Sequence, residues 1–275
     1  MNKKTLYYYD KINDLRLNVL FLYSLITFLV SIQFLNTIKS LEISILSFFS
    51  LAFVYQYNRY TDYEYDQKAE GLKKIKKNMY LVMSLGSLTI SFFMSYFDLK
   101  YLNVTIFYLV MGVLYSSKTI FKKPIKNYLL LKNIFAAILV PALQIFIVFN
   151  YTTLHSYKII MLIFIPVFLL YLCYEVLWDI KDIESDKIGN VRTLPNTIGK
   201  ERTIILIFAI LSFGALYNIN VLNLSLTNIN MMAYFIALIF TIVLYFNKNY
   251  NYRLFHLFLY VNIVALIIFI LFMYV

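Results

Sequence analysis

The chain has 275 residues, of which 61% are hydrophobic and only 14% charged, with a formal net charge of +11. That apolarity excludes an ordinary water-soluble domain and points to a membrane protein, and the positive balance suits anionic lipid, with no nucleic acid among the expected partners. The single cysteine, Cys173, rules out an intramolecular disulfide and carries no information on redox compartment.

The N-terminal segment, MNKKTLYYYDKINDLR, mixes lysines with acids and leads into a first apolar run long enough to span a bilayer. No small-residue cleavage site follows, so a cleaved secretory signal is not expected. Apolar runs of about 17 to 24 residues recur at 17–38, 41–57, 78–97, 101–117, 127–150, 157–178, 203–222, 229–246 and 254–275, which predicts nine transmembrane helices in an all-α protein. Of the 25 Lys and Arg residues, 22 fall in the N-terminal segment and the connections after spans two, four, six and eight, counting Lys132 at the start of run five with the connection before it. The other three are Lys39, Lys100 and Lys158. By the positive-inside rule the N-terminus is cytoplasmic and Val275 lies on the opposite side.

Directly after the second run comes NRYTDYEYD, in which Asn58, Asp62 and Asp66 recur at four-residue intervals. On a helix these fall within roughly 80° of one another. The following connection carries Lys68, Lys73, Lys74, Lys76 and Lys77, and the one after span four carries Lys118, Lys122, Lys123 and Lys126. Such clusters report topology and anionic lipid. Lys118, close behind Tyr115 at a span end, is the one best placed for a phosphate. In span five, Asn133 and Gln144 share a face and suit either interhelical hydrogen bonding or the polar wall of a cavity. Pro141 and Pro166 are expected to kink spans five and six. His256 is expected to pack inside span nine, and Trp178 to sit in an interfacial aromatic belt.

The end of span six carries the most informative stretch, EVLWDIKDIESDKIGNVRTLPNTIG. Glu175, Asp179, Asp182 and Asp186 would lie within roughly 60° of one another on a continuous helix. Carboxylates crowded at a membrane surface repel one another unless a cation neutralises them, and hard divalent ions such as Mg2+ prefer such oxygens. Two acidic faces opposed across a cleft would suit a diphosphate bridged by metals.

These residues resemble the UbiA superfamily of intramembrane prenyltransferases. Asn58, Asp62 and Asp66 match its Asn-x-x-x-Asp-x-x-x-Asp stretch. Asp182 and Asp186 match the core of its second acidic stretch, with Asp179 and Glu175 upstream, and Gly189, Thr193, Leu194, Pro195 and Gly199 match its continuation. The resemblance covers nearly the whole chain and implies one domain over 1–275, a nine-helix bundle around a central cavity. In it, Mg2+ on Asn58, Asp62, Asp66, Asp179, Asp182 and Asp186 binds a prenyl diphosphate. Asp62, Asp66, Asp182 and Asp186 would be essential to ionisation. The diphosphate would also meet Arg59, Lys118 and Lys122, and the cavity or acceptor would meet Tyr115, Asn133, Gln144 and Glu175.

Two departures bear on those roles. Tyr115 and Lys118 are one residue closer than the family's Tyr-x-x-x-Lys, which leaves Lys122 or Lys123 as substitutes, and GLKKIKK replaces an Asn-Pro-Arg-like continuation, which brings in Lys73 or Lys74. The implied activity is prenyl transfer to a lipophilic acceptor such as a quinone precursor, in an integral multi-pass protein of a bacterial inner membrane. A terpene cyclase sharing the ionisation step is the alternative. A cation-coupled transporter fits less well, because these acids gather at one membrane surface and the chain halves show no repeat.

Overall fold

The structure, a computed structural model, describes residues 15–32, 35–64, 67, 75–117, 125, 128–151, 157–188, 191–222, 229–247 and 252–274. Among these there is no β-strand. Nine long helices, α1 (Leu17–Ser31), α2 (Thr37–Thr61), α3 (Lys77–Phe97), α4 (Lys100–Ser116), α5 (Leu131–Tyr151), α6 (Tyr157–Lys181), α9 (Lys200–Leu222), α10 (Ile229–Phe246) and α11 (Tyr252–Tyr274), overlie the apolar runs, and two short ones, α7 (Ile183–Ile188) and α8 (Leu194–Ile198), follow α6. Among the described residues, Thr37–Thr61, Lys77–Phe97, Leu131–Tyr151 and Lys200–Ile219 are long and apolar enough to cross a membrane, whereas Leu17–Ser31 and Met231–Phe246 are shorter apolar helices.

The first boundary differs from the expected one. Run one stops at Ser31 and α2 begins at Thr37, because the Asn36 side chain caps it by accepting from the Lys39 N–H at 2.8 Å.

The chain divides into two compact units, residues 1–28 with 36–127 and residues 29–35 with 128–275. In the first, α2 packs against α3 and α4, and serine does much of the joining. Ser50 and Ser91 hydroxyls lie 3.2 Å apart, Ser84 donates to the Phe53 carbonyl at 3.2 Å, and Ser44 donates to the Ser24 carbonyl at 2.8 Å. Small hydroxyl residues let helix backbones approach where burial of apolar surface gives no drive. Gly112 of α4 serves the same end, since a Cβ there would stand 2.8 Å from the Phe53 ring.

Helix α3 is inside-out by the standards of a soluble protein. It buries Tyr80, Ser84, Ser91 and Ser95 and exposes Val82, Leu85, Phe93 and Tyr96. Such a helix is stable only where the surrounding medium is apolar. Helix α2 supports this reading. At one end Lys39 pairs with Glu42 (3.0 Å) and Asp98 (2.8 Å), and Tyr101 donates to Glu42 at 2.8 Å; Asn58 stands about 29 Å along the axis, one hydrocarbon thickness away.

In the second unit α6 is the hub, packing against α5, α9, α10 and α11. Aromatic side chains fill these contacts. Phe240 stacks on Phe258 with centroids 4.0 Å apart, and Tyr174 meets Phe258 edge-on at 5.5 Å while donating to Asn262 Oδ1 at 3.0 Å. Gly214 of α9 leaves room for the buried Tyr234 of α10, whose hydroxyl donates to the Pro166 carbonyl of α6. Three helices are locked at this point.

Candidate active site

The hub helix ends in the second acidic stretch, whose Val176, Leu177 and Ile180 remain in the core. Asp179, in the last turn of α6, is only 2% exposed. A carboxylate so buried needs partners on both oxygens, and two neighbouring residues in the first turn of α5 supply them. Lys132 Nζ lies 2.7 Å from Oδ1 and Asn133 Nδ2 donates to Oδ2 at 2.8 Å. The expected place of Asp179 in a metal shell would require displacing one of these donors.

The four acids do not share one unbroken helix. Helix α6 ends at Lys181, Asp182 is a turn residue, and α7 resumes at Ile183. At the break the Asp182 N–H bonds to the Asp179 carbonyl at 3.2 Å, and beyond it the Asp186 N–H bonds to the Asp182 carbonyl at 2.8 Å. The consequence of the break is a division of environments. Glu175 and Asp182 are half-buried, whereas Asp186 is buried beside Asp179. Lys181 pairs with Asp182 Oδ1 at 3.2 Å and lies 5.1 Å from the Trp178 ring centroid, and Trp178 in turn packs on Phe255 at 5.8 Å. Trp178 is thus half-buried and packs in part against the core of its unit.

Asp186 is the least satisfied member. Among the described residues its Oδ2 accepts no hydrogen bond, and Lys132 Nζ lies 3.9 Å from it. Burial pushes this carboxyl up to about 7, against the pull of Lys132 and with added repulsion from Asp179 and Asp182. A buried carboxylate oxygen with no donor is an oxygen that a hard cation would take. Among the described residues no group of three or more His, Cys, Asp or Glu side chains gathers closely enough to hold a metal alone. Mg2+ commonly needs only one or two carboxylates, completing its shell with water and substrate phosphate, so Asp182 and Asp186 fit that ion.

The continuation of this stretch is built for a sharp return. The Val191 N–H bonds to the Asp186 carbonyl at 2.9 Å, Thr193 precedes α8, and Pro195 sits in its first turn, where its missing N–H costs nothing. Gly199 closes α8 at φ +86°, a left-handed conformation that favours glycine, and α9 starts at the next residue. Gly189 lies outside the described residues.

In the first unit, Asn58 and Arg59 occupy the last turn of α2 and Asp62 terminates it, its N–H bonding to the Asn58 carbonyl at 2.9 Å. Ser116, at the end of α4, donates to Asn58 Oδ1 at 3.1 Å, which joins the α2 and α4 ends. Arg59 is buried and Tyr115 half-buried. Asp66, Lys73, Lys74, Lys118, Lys122, Lys123 and the His256 side chain lie outside the described residues. Asn133 and Gln144 are both buried on α5, but only Asn133 joins the acids, while neither amide atom of Gln144 has a hydrogen-bond partner.

Lys132 and Ser116 escape a sequence reading. The one available signal for Lys132 is its position beside Asn133, as a basic residue inside an apolar run; its partner Asp179 is 47 residues away.

The UbiA prenyltransferase family model matches residues 19–257. No curated protein matches the chain. Among solved structures, the fold is similar to a UbiA homolog from Archaeoglobus fulgidus bound to DMAPP and Mg2+ (15% identity, 94% of this chain and 98% of that one, TM-score 0.64). It is also similar to the same organism's homolog bound to GPP and Mg2+ (15%, 95% and 99%, TM-score 0.65) and to an apo UbiA homolog from Aeropyrum pernix K1 (12%, 95% and 99%, TM-score 0.71). With the family model covering most of its length and the same fold in these structures, the chain belongs to the UbiA prenyltransferase family.

Proposed function

We propose that this protein transfers a prenyl group from a prenyl diphosphate, taken up with Mg2+, to a lipophilic acceptor of the quinone-precursor kind within the membrane. The observation that carries the reading is Asp186, a buried carboxylate with an oxygen that accepts no hydrogen bond, one helical turn from Asp182 at the end of the helix that organises its unit. Family membership and relatives solved with DMAPP or GPP and Mg2+ support it.

On this reading Asp182 and Asp186 hold metal, and Asn58, Asp62 and Asp66 form a second metal-holding stretch. Mg2+ when bound would withdraw charge from the leaving diphosphate and so promote cleavage of its bond to the prenyl carbon. Arg59, Lys118 and Lys122 neutralise the same leaving group. Aromatic side chains exclude water from the developing allylic cation. Tyr115, Asn133 and Gln144 are the residues assigned to the acceptor or cavity, and Glu175, one turn before Asp179 on α6, would receive the proton the acceptor releases. One domain of nine spans over 1–275 would place the N-terminus and both acidic stretches on the cytoplasmic face of a bacterial inner membrane; the lysine distribution supports the cytoplasmic orientation.

The test is incubation of purified protein with Mg2+ and a prenyl diphosphate, without and then with an acceptor-containing lipid extract. Transfer leaves the substrate largely intact until the extract is added, then gives a prenylated lipid. Rapid accumulation of a cyclic hydrocarbon without extract would replace transfer by cyclisation.

A further inference from the structure

We propose that Lys132 is a diphosphate-binding residue and that Asp179 is its positioning residue, not a metal ligand. The inference deepens the prenyl diphosphate reading and rests on it.

The geometry separates two carboxylates that sequence treats alike. Both Asp179 oxygens are engaged at 2.7 and 2.8 Å by a lysine and an amide, in a side chain almost wholly buried. A metal would have to evict one of these donors to reach it. Asp186 Oδ2 accepts no hydrogen bond, and Lys132 Nζ is 3.9 Å from it. The ammonium is thus pinned by one acid and set beside the next.

That spacing constrains what can bind. A Mg2+ on Asp186 Oδ2 would lie about 2.1 Å from the oxygen, within a few ångströms of the ammonium. Two cations so close repel, and buried charges are weakly screened. An oxyanion contacting both removes the conflict, since a diphosphate oxygen can bind the metal while another accepts from Nζ. Lys132 therefore makes metal and diphosphate bind as a pair. Metal alone is opposed by the lysine, and diphosphate is held by both.

The experiment uses the full chain in detergent, with Mn2+ as the metal probe read by paramagnetic resonance and inorganic pyrophosphate read by calorimetry. Wild type should bind Mn2+ weakly alone and more tightly with pyrophosphate. Lys132→Met should bind Mn2+ alone at least as well as wild type, and pyrophosphate with Mn2+ on the order of 10- to 100-fold more weakly, the loss expected for one charge-assisted hydrogen bond. Lys132→Arg should recover most of that loss. Asp179→Asn should weaken pyrophosphate and spare Mn2+. The double variant Lys132→Met/Asp179→Asn removes both charges of the buried pair, which protects folding, and should match Lys132→Met alone. Wild-type pyrophosphate affinity in Lys132→Met or in the double variant overturns the proposal, as does loss of Mn2+ binding in Asp179→Asn. A wild-type protein that binds neither probe overturns the prenyl diphosphate reading and this inference with it.

Discussion

Replacing Gly214 by alanine should weaken the scaffold that holds the acids, although in a helix interior the same change ordinarily stabilises by about 1 kcal/mol. A Cβ at Gly214 would stand 2.6 Å from Tyr234 Cζ, well inside van der Waals contact. Tyr234 has nowhere easy to go, being fully buried with its hydroxyl on the Pro166 carbonyl. Overpacking costs about 1–3 kcal/mol, and stranding the hydroxyl about 1–3 kcal/mol more. Set against the propensity gain, the net loss is about 1–5 kcal/mol, or roughly 2–20 °C in apparent melting temperature for a protein of this size. Melting of purified protein in detergent, followed by loss of the monodisperse chromatographic peak, measures it. Gly214→Ala/Tyr234→Leu, which makes room for the methyl, should recover part of the loss. A Gly214→Ala protein melting at or above wild type would mean that the α6, α9 and α10 contact is not the tight lock described, and the placement of the acids would lose its support.

Asp182→Asn and Asp186→Asn should each lower turnover on the order of 100-fold or more, the cost of losing a transition-state electrostatic contact, while melting changes little; wild-type turnover in either would refute the metal role. Asp186 has its carboxyl raised to about 7, so the metal-free folded protein holds a proton that the unfolded chain releases near pH 4. Stability in excess chelator should therefore be greatest at acid pH and fall as pH rises toward about 7, and Asp186→Asn should flatten that slope. Mn2+ affinity should rise over the same window, since metal and proton compete for the carboxylate; a pH-independent affinity would contradict the assignment. Gln144→Met should raise stability by about 1–3 kcal/mol, because both amide atoms of Gln144 are buried without partners. A lower melting temperature in this variant would count against that burial.

Hydrophobic run length was sufficient to place the long helices, since periodicity and apolarity are local properties of the chain. Asn36 shows the limit of that reading, because its cap shifts the start of α2 to Thr37 inside what reads as continuous apolar sequence. The acidic face at Glu175 to Asp186 was legible from spacing, and so was its need for a neutralising partner. That partner was not legible, because Lys132 comes to Asp179 only through the packing of α5 on α6. Nor does spacing distinguish Asp179 from Asp186; burial and hydrogen bonding do, and both depend on neighbours distant in sequence. The Gly214, Tyr234 and Pro166 contact joins three helices in the same way.

The central claim is tested most directly by binding of a radiolabelled prenyl diphosphate to the purified protein across a Mg2+ titration. The account predicts saturable binding that appears with Mg2+, is abolished by chelator, and is lost in Asp182→Asn and Asp186→Asn proteins that still melt like wild type. Binding of equal strength in excess chelator, or in both variants, would contradict it.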